Sequence, residues 1–113
     1  MIAAVAHDIN HPGTNNAYEG KLNTEWSKLA EGDSTLEKMH TRYLFDIMRS
    51  EKALYFENHS ENPMLTKELI TRSILSTDIT RHFSNLEKLQ ALLHSKKFDK
   101  TDYDHRYVKN VRI

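Results

Sequence analysis

The chain has 113 residues, with 16 basic against 16 acidic side chains, seven histidines and no cysteine. That length fits one domain or a piece of one, and the balanced charge gives no warrant for a nucleic-acid partner or an anionic membrane surface. Disulfides and thiolate zinc sites are excluded within the chain, which fits a cytoplasmic setting, and no apolar run approaches the roughly 20 residues that a membrane helix needs.

Few glycines and prolines punctuate the sequence, and no strand alternation or repeat is present, so the fold class is all-α. The N-terminus is too short and meets an acid too early to be a signal peptide. Ile2 to Ala6 is apolar and reads as the tail of a buried helix over residues 2–9, stopped by Pro12-Gly13. Such a start, which is not a frayed terminus, is the first hint of a fragment. Thr14 is placed to cap a short helix through Tyr18, with Gly20 as its stop, and Thr24 to cap another through Ala30, with Gly32 after it. Ser34-Thr35-Leu36-Glu37 has the form of a capping box, in which the serine hydroxyl and the glutamate carboxylate reciprocally satisfy free N–H groups. The helix it opens carries Leu36, Met39, His40, Tyr43, Leu44, Ile47 and Met48 at spacings of three and four. Residues 57–63 are polar and loop-like. A stripe from Leu65 through Ile74, Ile79, Phe83 and Leu86 to Leu93 then implies a long helix, with room for a bend, from about Thr66 to Ser95. The tail is polar, then weakly periodic at Tyr103, Tyr107, Val108 and Val111, as a further helix beginning.

The segment His7-Asp8-Ile9-Asn10-His11-Pro12-Gly13 concentrates the chemistry. A neutral imidazole suits zinc, and a carboxylate can hold zinc or bridge to a harder ion such as magnesium. Adjacent residues diverge by about 100° on an ideal helix, but at a helix end they can converge on one metal. His11 falls one turn after His7 and could act as a ligand or as a hydrogen-bonding support.

The longer string around this segment resembles the catalytic domain of class I cyclic nucleotide phosphodiesterases. The family pattern A-A-x-x-H-D-x-x-H-P-G-x-x-N, followed by an aromatic, is met by Ala3, Ala4, His7, Asp8, His11, Pro12, Gly13, Asn16 and Tyr18. Two further blocks follow in register: Asn23, Thr24, Glu25, Ser34, Leu36, Glu37 and His40, then Ile74, Leu75, Thr77, Asp78 and His82. A more distant HD-type phosphohydrolase acting on another nucleotide need not carry these blocks.

The resemblance implies an incomplete helical bundle of the phosphodiesterase (HD-domain) type, with residues 1–113 as a partial catalytic domain. It implies hydrolysis of the cyclic 3′,5′-phosphodiester of cAMP or cGMP to the 5′-monophosphate, with two divalent ions, Zn and Mg (or Mn), activating the attacking water. His7 would bind the zinc-like ion, and Asp8 would bridge to the second. His11, Glu37 and Thr77 would support the metal waters. The capping box and this support compete for Glu37. Ile79 would either line the pocket mouth or belong to the apolar stripe, and the stripe is preferred. The partner implied is a small cyclic nucleotide, with neither nucleic acid nor a membrane segment, and homodimerisation is left open for the full-length protein.

Several family features have no counterpart in this sequence. The H-N-x-x-H motif, whose first histidine is the general acid, is expected upstream, so no catalytic residue is assigned in this chain. The H-x-A-D motif with the last aspartate ligand is expected downstream, along with the purine-gripping glutamine and aromatic clamp. This chain alone is therefore expected to be inactive and, isolated, to expose apolar faces and associate or remain molten. Lys38-Met39 stands where the family has Asn-His, which puts the supporting network in question, and Ala30 replaces a usual tyrosine. These departures motivate a second hypothesis, a non-catalytic helical remnant or partner-binding fragment. His40 and His82 read as supporting or packing residues, and His59, His94 and His105 as surface. Trp26, Tyr43 and Phe83 read as core.

Overall fold

The computed structural model describes residues 1–50 and 60–95, and every described element is helical. The order is α1 (Ile2–Ala6), α2 (Asn16–Lys21), α3 (Glu25–Leu29), α4 (Thr35–Ser50), α5 (Pro63–Leu75), a 3₁₀ turn (Ile79–Arg81) and α6 (His82–His94). The expected features at residues 57–59 and in the tail beyond residue 95 lie outside the described residues.

The central element is α4. Its buried positions Leu36, Met39, His40, Leu44 and Met48 follow the three-and-four spacing of one helical face. α1, α2, α3 and α5 all pack on it. Ala6, Leu44, Met48, Ile70 and Ile74 form the apolar core, with Ala3 and Phe45 against it. Ile74 is fully buried, at 0% exposure.

Helix ends depart from the sequence reading in ways that matter for the site. α1 ends at Ala6, so His7 to Asn10 form a turn stitched by Ile9 N–H to Ala6 C=O and His11 N–H to Asp8 C=O. Asn10 takes a left-handed conformation, φ 55°, which asparagine tolerates better than most residues. Gly13 at φ 82° completes the reversal, where a side chain would be strained.

α2 is capped by Asn15, whose side chain accepts from Tyr18 N–H, and not by Thr14. Thr14 spends its hydroxyl on Glu19 instead, and α2 runs through Gly20 to Lys21. The Thr24 cap of α3 is as expected, accepting from Ser27 N–H.

The capping box does not form. Ser34 has φ 46°, and its hydroxyl donates to Asp78 at 2.7 Å. Asn16 takes over the cap, its Oδ1 accepting from Leu36 N–H at 2.8 Å.

The long helix from Thr66 to Ser95 is in fact two helices. α5 begins earlier, at Pro63 behind an Asn62 cap, and ends at Leu75. The interruption is local polar competition, since Asp78 Oδ1 accepts from both Thr80 N–H (2.9 Å) and Thr80 Oγ1 (2.7 Å). After the break the stripe loses its phase with the core, so Ile79 and Phe83 are 72% and 74% exposed and are not core residues. His82 is half-buried and meets the Phe83 ring edge-on at 5.3 Å. His94 is exposed, and Trp26 and Tyr43 are half-buried against one another, 5.5 Å apart.

Candidate metal centre

The end of α1 delivers His7, Asp8 and His11 to one region, and α4 delivers His40 to the same place. His7 Nδ1 lies 2.8 Å from Ala4 C=O. A carbonyl can only accept, so Nδ1 carries the proton, and in the neutral ring Nε2 presents a lone pair. That lone pair lies 3.1 Å from Asp8 Oδ2. Two acceptors so close repel unless a proton or a cation lies between them. Two donor atoms about 2.1 Å from a common ion and 90–110° apart would be roughly 3.0–3.4 Å from one another, so the pair fits a divalent cation.

The other oxygen of Asp8 faces α4. His40 Nε2 lies 4.0 Å from Asp8 Oδ1. The His40 ring is 2% exposed, and its Nδ1–H donates to Ile9 C=O at 2.6 Å. His40 thus ties the 7–10 turn to α4 and turns a lone pair toward the carboxylate. Asp8, His11 and His40 bring ligand atoms within 4.8 Å of one another. His11 is a poor ligand, however: its Nδ1 accepts from Gly13 N–H at 3.0 Å, so in the neutral ring its proton sits on Nε2 as a donor. Its ring stacks on His40 with centroids 5.5 Å apart.

Beside these residues lies a cleft of about 350 Å³. Its walls include His11, Glu37 and Thr77, the three residues expected to act as supports, together with Asn16, Leu36 and Ile79. Glu37 Oε2 accepts from Asn16 Nδ2 at 2.9 Å, so the carboxylate is held by the residue that caps α4 and faces the cleft. Thr77 donates its hydroxyl proton to Ile74 C=O at 2.6 Å, leaving oxygen lone pairs free to accept. Ile79 lines the cleft while exposed, so the pocket-mouth placement holds over the core placement.

Two carboxyls near the cleft are shifted. Burial pushes Asp78 up, but the hydroxyls of Ser34 and Thr80, the Thr80 N–H and the Arg81 guanidinium together hold it below the usual carboxylate range. Glu19 is also held low, by the Thr14 hydroxyl first and the Thr24 hydroxyl second. Lys38 turns away from the cleft, donating to Ala30 C=O at 2.9 Å, and Met39 is buried at 3% exposure.

The sequence model of the 3'5'-cyclic nucleotide phosphodiesterase family matches residues 1–113. The chain belongs to this family. The phosphodiesterase regA of Dictyostelium discoideum is 33% identical over 109 residues, 94% of this chain and 14% of its own length. The rat 3',5'-cyclic-AMP phosphodiesterase 4C is 29% identical over 98 residues, 86% of this chain and 18% of its own length. The chain therefore spans less than a fifth of these relatives. Among solved structures, the phosphodiesterase domain of the RhoPDE fusion protein from the choanoflagellate Salpingoeca rosetta superposes with a TM-score of 0.86 at 26% identity. That match covers 97% of this chain and 36% of the solved one. The phosphodiesterase family is metal-dependent, and its all-α architecture is the one described above. Among the described residues no helix is long and apolar enough to cross a membrane.

The sequence reading treated His40 as a support or a packing residue, and its facing of Asp8 was not anticipated. A signal was available: a histidine sits within the buried stripe of α4, between Met39 and Leu44.

Proposed function

We propose that this chain forms the metal-bridging portion of a domain that hydrolyses cAMP or cGMP to the 5′-monophosphate. The carrying observation is the His7 Nε2 and Asp8 Oδ2 pair, two acceptors 3.1 Å apart with His7 Nδ1 tied back to Ala4. On this reading His7 and Asp8 would hold two divalent ions, Zn and Mg (or Mn), with His7 a ligand of the zinc-like one. Bound there, the ions would supply an activated water and neutralise charge developing at phosphorus.

The chain's own residues do the rest of the orienting. His40 pins the turn through Ile9 and turns its Nε2 lone pair toward Asp8 from the buried side, where both could face one cation. His11 offers its Nε2–H to an oxygen in the cleft. Glu37, fixed by Asn16, accepts protons from water, as does Thr77 through its lone pairs. The proton for the leaving 3′ oxygen comes, on the same reading, from the histidine of an H-N-x-x-H motif, which this sequence does not contain. A cytoplasmic location and a homodimer belong to the same reading, the first supported by the absence of cysteine. Lys38, whose departure from the family pattern suggested a non-catalytic remnant, points to Ala30 and leaves the cleft undisturbed.

The test is turnover of cAMP and cGMP by the protein carrying this chain, with and without EDTA and with added Zn²⁺ and Mg²⁺. Metal-dependent release of a 5′-monophosphate supports the reading. Metal binding without turnover in that protein overturns it.

A further inference from the structure

The two walls of the cleft come from segments distant in sequence. One is the first turn of α4, with Leu36 and Glu37, and the other is the corner at Thr77, Asp78 and Ile79. Among the described residues, the 3₁₀ turn and α6 pack on one another and on no other helix. The corner starts three residues beyond Ile74 of α5, which is buried with Leu44 and Met48 of α4, but no described helix other than α6 packs on the turn itself.

A polar connection ties this turn to the residues just before α4. Arg81 Nε–H donates to Ser34 Oγ at 3.1 Å, and Arg81 Nη2 donates to Asp33 Oδ2 at 2.8 Å. Ser34 Oγ–H passes the connection on to Asp78 Oδ2 at 2.7 Å. These bonds bridge 44 to 48 residues of sequence. Ser34 and Asp78 are buried, at 4% and 3% exposure, while Asp33 is exposed. Ser34 also holds a left-handed backbone, φ 46°, a costly choice for serine that places its hydroxyl between the guanidinium and the carboxylate. Ser34 immediately precedes α4, and Asp78 immediately follows Thr77.

We infer that Arg81 is a positioning residue: through Ser34 and Asp78 it sets the distance between the Thr77 wall and the Glu37 wall, and with it the fit of the cleft to the metal waters. The inference rests on the metal-centre reading above. It assigns Arg81 no contact with substrate.

The test compares wild type with Arg81→Met, Arg81→Lys and Asp33→Ala in the metal-loaded protein carrying this chain. Three quantities are read, all well below each variant's Tm: the Kd for Mn²⁺ by calorimetry, the Mg²⁺ concentration at half-maximal cAMP hydrolysis, and amide exchange at residues 77–81. Arg81→Met is expected to weaken Mn²⁺ binding and raise the half-maximal Mg²⁺ by about tenfold, the low end of the range for residues that orient a metal site. Arg81→Lys, which keeps the charge but not the fork, should fall between. Exchange at residues 77–81 should rise in step. A lower Tm with unchanged Mn²⁺ Kd and Mg²⁺ dependence would overturn the inference, because a purely structural tie gives that result. If Arg81→Met does not fold, Asp33→Ala decides by the same criterion. Absence of wild-type turnover would count against the phosphodiesterase reading, and the Mn²⁺ arm would still decide the role of Arg81.

Discussion

Asn16 and Glu37 are joined across 21 residues: Asn16 Nδ2 donates to Glu37 Oε2 at 2.9 Å, while Asn16 Oδ1 accepts from Leu36 N–H. One amide thus caps α4 and aims the carboxylate that faces the cleft. Asn16→Ala should cost about 0.5–2 kcal/mol, the range for removing an N-cap side chain, and should also free Glu37. Asn16→Asp keeps the acceptor for Leu36 but sets two carboxylates against one another. It should therefore melt closer to wild type than Asn16→Ala yet perturb metal dependence more. Thermal melts paired with Mg²⁺ titrations separate the two effects.

Asp78 predicts a pH dependence. Its carboxyl is held below the usual range in the folded protein, so the unfolded chain takes up its proton first as pH falls. The stability it contributes is complete above the unfolded value of about 3.9 and is lost as pH falls through the lower folded value. Glu19 acts with the same sign. Asp78→Asn should therefore lower stability at pH 7 and flatten, without abolishing, the acid limb of a Tm-against-pH curve from about pH 5 downward. An acid limb parallel to wild type would show that Asp78 does not contribute.

Ile74 and Ile79 separate core from cleft. Ile74→Ala removes a fully buried side chain and should cost about 2–5 kcal/mol. Ile79→Ala, at an exposed position, should lie within about 0.5 kcal/mol of wild type. On the proposed function its effect should appear in the KM for cyclic nucleotide. Denaturant unfolding of the two variants checks the contrast.

The all-α class and α4 were legible because a three-and-four stripe is a local pattern, and the family was legible from the spacing around His7 and Asp8. The break after α5 was hidden because Ile79, Phe83 and Leu86 stay in phase with the stripe. What ends the helix is the bonding of Asp78 to Thr80 and, across 44 residues, to Ser34. The false capping box has the same origin. Ser34 and Glu37 have the right spacing, but Ser34 is drawn to Asp78, and Glu37 to Asn16. The His7 and Asp8 side chains, which would diverge on a continuous helix, converge because α1 stops at Ala6. Long-range polar bonds displaced the capping box and add to the local Asp78–Thr80 bonds at the break after α5, and no local sequence rule carries that long-range part.

The most direct test of the central claim is calorimetric titration of Zn²⁺ and Mn²⁺ into the metal-free protein, beside Asp8→Asn and His7→Ala. If His7 and Asp8 hold the ions, His7→Ala loses the tight Zn²⁺ event and Asp8→Asn weakens both metals by at least about tenfold. Unchanged isotherms in both variants would contradict the assignment and move the metal centre away from this turn.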